Sequence, residues 1–229
     1  MGRRAIPKSG SLQAVLFDVD GTLCESDALH FKVYVDMLQE AGYNGGVPIS
    51  EEFFKEHITG KFNTEVGEFL WPDWDPVAQR KFTDDKETRF RRLAETQLIT
   101  KRGLNKFCDW LKKNNIRRAA VTNAPRINAE QMIKAVGLGD FFEHIVIGYE
   151  CERAKPFPDP YLMALKLLGV PADKAFAVED SQSGLQAAVD AQLAVVGIVG
   201  ATPAGVLLQT GAAFTIEDFE DPALWKALE

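Results

Sequence analysis

The chain has 229 residues, of which 46% are hydrophobic, so it is long enough to form one large domain or a domain that carries an insertion. Its net charge of −7 disfavours nucleic acid and anionic membranes as partners of the surface as a whole. Three widely spaced cysteines, Cys24, Cys108 and Cys151, form no C-x-x-C pair, which favours a reducing compartment over a disulfide framework or a zinc site.

No stretch of the sequence is apolar over the length that a bilayer requires, and the first ten residues lack the apolar region of a secretory signal. We therefore expect a cytoplasmic protein that binds neither membrane nor nucleic acid. The sequence leaves the oligomeric state open, with a monomer as the expectation.

The first predicted element is a short buried strand over residues Ala14 to Asp18, which Asp20 and Gly21 follow. Residues two apart in an extended chain point to the same side, so the carboxylates of Asp18 and Asp20 would repel each other. Such a pair at the end of a strand requires a physical reason.

A helical region follows between Cys24 and Ile99. Apolar spacing and capping residues predict helices over Ala28 to Ala41, after Ser50, over Thr64 to Leu70, and along a charged stretch that ends near Leu98. The region contains no convincing strand.

From Gly103 onward, predicted strands and helices alternate. The strands are expected at Arg118 to Thr122, His144 to Ile147, Ala175 to Glu179, Ala194 to Val199 and Ala213 to Ile216. Alternation of this kind implies right-handed βαβ units. The expected fold class is α/β, with a parallel Rossmann-like sheet, helices on both faces and an inserted α-helical cap domain. Residues 1–23 and 100–229 would form the catalytic core, and residues 24–99 the helical domain.

Polar side chains follow three of the predicted strands, and one more lies in a loop between them. Ligands of open α/β sheets bind beyond the carboxyl ends of the strands, so these side chains should share one edge of the sheet. The rim residues, as we call them, are Asp18, Asp20, Thr122, Asn123, Lys155, Glu179 and Asp180. Four carboxylates at one edge require a cation, and an all-oxygen site suits Mg²⁺, with phosphate as a further ligand.

Four segments of the chain resemble motifs of the haloacid dehalogenase-like phosphatases that carry a helical cap after the first strand. The segments are Phe17 to Leu23, Val121 to Asn123, Lys155 to Pro156, and Val178 to Ser181 with Gly184. The longer runs around them are similar to plant sugar phosphatases and, more remotely, to β-phosphoglucomutase. Dehalogenases of the same fold lack an aspartate at the position of Asp20, so the resemblance implies phosphoryl transfer.

The resemblance also implies a role for each rim residue. Asp18 would be the nucleophile that forms an aspartyl phosphate, and Asp20 the general acid and base, with its backbone carbonyl on the metal. Asp180 would be the direct metal carboxylate and Glu179 a second or outer ligand. Thr122, Asn123 and Lys155 would bind the phosphoryl oxygens.

Candidate substrate-binding residues in the helical region are His30, Gly60, Lys61 and Lys86. The resemblance places His30 at the mouth of the active site and Gly60 with Lys61 on a loop that faces it. The alternatives stay open: a lone histidine is commonly a surface or core residue, Gly60 and Lys61 fit a solvated turn, and Lys86 lies on a charged helix.

Three functions compete at this point. A phosphatase of small phosphorylated metabolites, with sugar or polyol phosphates as substrates, is favoured over a β-phosphoglucomutase-like sugar phosphomutase. The reason is that Asn63 stands where the related mutase has an arginine that grips the distal phosphate. A binding module or a receiver-like phosphoacceptor is disfavoured, because every rim residue is present and receivers lack an inserted helical region.

Overall fold

The computed structural model describes residues 3–229. The chain forms two compact units, one made of the residues up to Glu25 together with Ile99–Glu229, and the other of Ser26–Leu98. We call them the sheet unit and the helical unit. Among residues 3–229, no helix has both the length and the apolar character needed to cross a membrane.

The strands, all in the sheet unit, are β1 (Ala14–Phe17), β2 (Cys24–Glu25), β3 (Ile99–Thr100), β4 (Arg117–Thr122), β5 (His144–Ile147), β6 (Ala175–Glu179), β7 (Ala194–Ile198) and β8 (Phe214–Ile216). The helical unit contains α1 (Asp27–Glu40), α2 (Glu51–His57), α3 (Asn63–Leu70) and α4 (Pro76–Gln97). The sheet unit contains α5 (Leu104–Lys113), α6 (Arg126–Ala135), α7 (Asp159–Leu168), α8 (Gln182–Asp190), α9 (Ala204–Thr210) and α10 (Pro222–Leu228).

Six strands form one parallel sheet in the order β5-β4-β1-β6-β7-β8. Every residue of β1, β6 and β7 is buried, as expected for central strands that helices cover on both faces. Phe17 pairs with Ala120 of β4 on one side and with Val178 of β6 on the other. This register brings the carboxyl ends of the three strands to the same edge of the sheet.

Strands β2 and β3 form a separate antiparallel pair, in which Cys24 lies opposite Thr100 and Glu25 opposite Ile99. Lys101 extends the pairing, since its N–H donates to the Leu23 carbonyl at 2.9 Å. Its buried ammonium also lies 2.8 Å from Glu25 Oε1. The chain therefore leaves and re-enters the sheet unit at two neighbouring points.

In the helical unit, the long helix α4 packs against α1 and α3. Ser50 is the N-cap of helix α2, and its side chain accepts a hydrogen bond from the Phe53 N–H. Asp75 is the N-cap of helix α4: its side chain accepts from two backbone N–H groups, and Pro76 follows at the first helical position. The Ser50 cap explains why the start of α2 could be predicted from the sequence.

The observed architecture confirms the predicted fold class of a parallel Rossmann-like α/β sheet with added helices. Predicted strands agree with the observed ones to within one residue at each end. The expectation that the region from Cys24 to Ile99 contains no strand is wrong at its two ends, because β2 and β3 lie there. Two-residue strands carry too little pattern to be recognised, and helix α10 was also not predicted.

Candidate active site

The rim residues that follow β1, β4 and β6 come together because of the sheet register. The Asp18 N–H donates to the Val178 carbonyl at 3.0 Å, so the hydrogen-bond pattern continues one residue past β1. Thr122 is the last residue of β4 and Glu179 the last of β6. Asp18, Thr122 and Glu179 are all buried, which makes this edge of the sheet a polar site with little access to water.

Lys155 lies at the centre of these groups and is only 2% exposed. Its Nζ donates to Asp18 Oδ1 at 2.7 Å, to Glu179 Oε1 at 2.5 Å and to the Val121 carbonyl at 2.8 Å. An ammonium group has three donors, and these three acceptors use all of them. Lys155 therefore occupies one fixed position between two carboxylates.

Burial raises the pKa of Asp18 to about 8, because the charge of Lys155 offsets the loss of hydration only in part and the neighbouring Glu179 adds to the rise. Burial also works against the charged form of Lys155, but Asp18 and Glu179 outweigh it and keep the Lys155 pKa above its ordinary value. One cation thus faces two acids, so the protein groups alone do not stabilise the charged forms of both. Further positive charge would favour the carboxylate form of Asp18.

A third acid, Asp180, completes a carboxylate cluster. One oxygen each of Asp18, Glu179 and Asp180 lie within 4.8 Å of one another. The Thr22 hydroxyl donates to Asp180 Oδ1 at 3.1 Å. Gly21 has φ +83°, and a Cβ on it would lie 2.2 Å from Asp180 Oδ2, so the turn after β1 requires glycine. A buried set of carboxylate oxygens fits a hard divalent cation.

Asp20 lies at the edge of this cluster. It is half-buried, and its backbone forms an isolated bridge with Cys24. Its carboxylate is not one of the three that come together among the described residues. Asp20 is therefore placed differently from Asp18, although only one residue separates them.

Glu179 is fully buried and bonded on both oxygens. Its Oε1 accepts from Lys155 and also from the Tyr161 hydroxyl, at 2.5 Å in each case, and its Oε2 accepts from the Ser181 hydroxyl at 3.2 Å. Helix α8 approaches closely, since a Cβ at Gly184 would lie 2.1 Å from Glu179 Oε1. Neither Tyr161 nor Ser181 was predicted as a site residue. Ser181 lies inside the fourth matched segment and Tyr161 inside the longer similar run from Lys155 to Leu162, which was the available signal.

Asn123 fixes the backbone of Lys155. Its Nδ2 donates to the Lys155 carbonyl at 3.1 Å, and its Oδ1 accepts from the Lys155 N–H at 3.2 Å. The Thr122 hydroxyl accepts from the Ala124 N–H at 3.0 Å. The peptide bond between Lys155 and Pro156 is cis. Thr122, Asn123 and Lys155 are thus brought together, while their contact with phosphate stays a prediction.

The substrate-binding residues predicted in the helical unit lie in different surroundings. Gly60, with φ +73°, and Lys61 are exposed. His30 is stacked on Phe90, with ring centroids 3.8 Å apart. Lys86 is 4% exposed, so it does not belong to a solvated helix face. Its role in substrate binding stays a prediction.

Lys86 belongs to a buried polar cluster within the helical unit. Its Nζ lies 3.0 Å from Glu87 Oε1, and the Asn63 amide donates to the same oxygen at 3.0 Å. Burial acts to raise the pKa of Glu87, but Lys86, His30 and Asn63 outweigh it and hold this pKa below its ordinary value. Glu87 is the residue of this cluster that the sequence did not single out.

Comparison with known proteins agrees with the fold and the site. A sequence model of the haloacid dehalogenase-like hydrolases matches residues 12–192. The chain is 26% identical to a phosphorylated carbohydrates phosphatase of Thermotoga maritima, covering 91% of this chain and 96% of that protein. It is 30% identical to the protein SUPPRESSOR OF QUENCHING 1 of Arabidopsis thaliana, covering 91% of this chain but only 20% of the plant protein.

Solved structures show the same similarity. A crystal structure of a CbbY variant from Rhodobacter sphaeroides, in complex with xylulose 1,5-bisphosphate, superposes with a TM-score of 0.80 at 27% identity. The match covers 92% of this chain and 96% of that one.

Lys155 and three buried acids, Asp18, Glu179 and Asp180, thus lie together at the carboxyl edge of a parallel sheet. The chain belongs to the haloacid dehalogenase-like hydrolase family. Its enzyme class within the family is that of the phosphoric monoester hydrolases. The resemblance inferred from the four motifs is therefore confirmed, and the non-enzymatic alternatives are set aside.

Proposed function

We propose that the protein is a Mg²⁺-dependent phosphatase of small phosphorylated metabolites, with sugar or polyol phosphates as its substrates. The observation that carries this proposal is the position of Lys155, whose ammonium lies between Asp18 and Glu179 in the carboxylate cluster. The names of two relatives support the substrate class, since one is a phosphatase of phosphorylated carbohydrates and another was crystallised with a sugar bisphosphate.

In the proposed reaction, a carboxylate oxygen of Asp18 attacks phosphorus while the bond to the leaving alkoxide breaks, which gives a phosphorylated Asp18. Asp20 donates a proton to the alkoxide and then removes one from the water that hydrolyses this intermediate. Asp20 is half-buried and its carboxylate is not one of the three of the cluster, so its environment differs from that of the nucleophile, as the two roles require. Thr122, Asn123 and Lys155 bind the phosphoryl oxygens.

Asp18, Glu179, Asp180 and the backbone carbonyl of Asp20 would hold the cation. Bound there, Mg²⁺ would neutralise charge on the phosphoryl group and on Asp18. Thr22 and Gly21 orient Asp180 toward this position, through the 3.1 Å hydrogen bond and the missing side chain.

We further propose that the helical unit is the inserted cap of the family and selects the substrate, with His30, Gly60, Lys61 and Lys86 as candidate contacts. In this unit, both Lys86 and Asn63 are bonded to Glu87. A mutase needs a strong cationic contact for the second phosphate of its bisphosphate intermediate. The ionised Glu87 carboxylate, bonded to both Lys86 and Asn63, works against such a contact with a second phosphate. This supports hydrolysis over phosphomutation.

The test is a phosphate-release screen over a panel of sugar and polyol phosphates with Mg²⁺, comparing kcat/KM. We expect Asp18→Asn to lose activity by several orders of magnitude, because an amide is not a nucleophile for phosphorus. Asp140→Asn, an exposed acid of the same unit, is the matched control and should retain activity. Substantial turnover by Asp18→Asn would refute the mechanism.

A second assay separates the phosphatase from the mutase. Glucose 1-phosphate is incubated with the protein, Mg²⁺ and a catalytic amount of glucose 1,6-bisphosphate, and both glucose 6-phosphate and free phosphate are followed. We expect phosphate release to be the faster process. Isomerisation that outruns phosphate release would show that the protein is a mutase.

A further inference from the structure

Tyr161 is a fully buried residue in the first turn of α7. Its hydroxyl donates to Glu179 Oε1 at 2.5 Å, and its ring centroid lies 5.2 Å from Lys155 Nζ. A buried phenol needs an acceptor, and here it shares the oxygen that Lys155 uses. Tyr161 thus contacts both partners of the ion pair beside Asp18 without being one of the rim residues.

The hydroxyl group determines how Glu179 is oriented. A carboxylate oxygen has two lone-pair directions, and at Oε1 they are used by Lys155 and Tyr161. Without the phenol proton, one direction at Oε1 is empty, and a buried acid with an empty direction rotates to find another donor. Lys155 follows, because its ammonium is bonded to the same oxygen.

The position of Lys155 is sensitive to such a rotation, since its single charge is divided between two acids. The Lys155 ammonium lies 2.7 Å from Asp18 Oδ1 and 2.5 Å from Glu179 Oε1. Any movement of Glu179 changes the distance from Lys155 to Asp18, and errors of about 1 Å in the placement of a reacting group reduce rates by roughly a hundredfold.

We propose that Tyr161 is a positioning residue of this site: by donating to Glu179 Oε1, its hydroxyl fixes the Lys155 ammonium beside Asp18, where Lys155 binds the transferring phosphoryl group. This role rests on the function proposed above, and it adds to that function a residue that touches neither phosphate nor cation. Tyr161 acts through Glu179 and Lys155.

The test compares wild type with Tyr161→Phe, which keeps the ring and removes the hydroxyl. Leu165→Ala is the matched control, because Leu165 is buried on the same helix and its truncation destabilises α7 without touching the ion pair. For each protein, binding of inorganic phosphate at saturating Mg²⁺ is measured by calorimetry, and p-nitrophenyl phosphate hydrolysis and Tm are recorded.

We expect Tyr161→Phe to raise the phosphate Kd about tenfold and to lower kcat about tenfold, while KM changes less than kcat. Leu165→Ala should lower Tm at least as much and leave the phosphate Kd unchanged. In a Glu179→Ala background, Tyr161→Phe should have no further effect on phosphate binding, since the acceptor through which the hydroxyl acts is absent.

Equal phosphate Kd and kcat for Tyr161→Phe and wild type would overturn the positioning role, and so would effects that add to those of Glu179→Ala. If the phenylalanine variant does not fold, 4-fluorophenylalanine at position 161 provides the same comparison with nearly the volume of tyrosine and no proton to donate. A wild-type protein that hydrolysed no phosphate ester would instead overturn the proposed function, so the two failures are distinguishable.

Discussion

Gly184 and Gly205 offer a matched test of the contact between helix α8 and Glu179. Each glycine lies near the start of a helix, in α8 and α9 respectively. A Cβ at Gly184 would lie 2.1 Å from Glu179 Oε1, whereas a Cβ at Gly205 would have no heavy atom within 4 Å. The same substitution by alanine therefore meets a carboxylate in one helix and open space in the other.

Alanine is a better helix former than glycine by roughly 0.5–1 kcal/mol, so Gly205→Ala should stabilise the protein by about that amount. Gly184→Ala has the same gain but also an overpacking cost of about 1–3 kcal/mol. Glu179 cannot simply move aside, because it is fully buried and bonded to Lys155 and Tyr161. The variants should thus differ by about 1–3 kcal/mol, or roughly 2–12 °C in Tm for a chain of this size.

The assay records thermal melting and p-nitrophenyl phosphate hydrolysis for both variants. We expect Gly184→Ala to melt lower and to lose roughly tenfold to a hundredfold in kcat, because a displaced Glu179 carries Lys155 away from Asp18. Gly205→Ala should melt slightly higher than wild type with unchanged kcat. If Gly184→Ala proved as stable and as active as Gly205→Ala, the close approach of α8 to Glu179 would be refuted.

Two further outcomes are expected. Mg²⁺ at a hundred times its Kd should add about 2.7 kcal/mol to the free energy of unfolding and so raise the Tm of the wild type, measured by differential scanning fluorimetry against EDTA. Asp180→Asn should lose most of this Tm shift. An equal shift in both proteins would exclude Asp180 as a ligand. The pKa of Glu87 is held below its ordinary value of 4.5, so its stabilisation is complete above that value and is lost as the pH falls through the lowered pKa. Acid should therefore lower the Tm of wild type more steeply than that of Glu87→Gln, and parallel curves below pH 4.5 would contradict this.

The sequence was sufficient for the sheet and for most of the rim residues, because these depend on local pattern. Apolar runs such as Ala14 to Phe17 identify buried strands, and parallel strands place their carboxyl ends at one edge. The short strands β2 and β3 could not be predicted, since their pairing joins Glu25 to Ile99 across the whole helical unit. Contacts between residues so far apart leave no periodic signal in either segment.

Side-chain partners were the other part that the sequence did not disclose. The spacing of Tyr161 in α7 is that of an ordinary buried residue of the helix. Only the fold shows that its hydroxyl reaches Glu179 on β6. The charged pattern of α4 likewise left a solvated face around Lys86 open as an alternative, whereas Lys86 and Glu87 are both buried and bonded to each other. Burial of a charged pair depends on what the neighbouring helices cover, and sequence spacing does not specify that.

The pairing of β2 with β3 has a consequence for how such a chain can evolve. Opposite residues of an antiparallel pair, such as Glu25 and Ile99, have Cα atoms about 4.5–5.5 Å apart, a gap that a turn of about two residues also closes. The segment between them can therefore be lengthened, exchanged or shortened by recombination at its two ends without altering the order of the strands. If the helical unit selects the substrate, as proposed above, new substrate preferences can arise in this segment while Asp18, Lys155 and Asp180 keep their positions at the edge of the sheet.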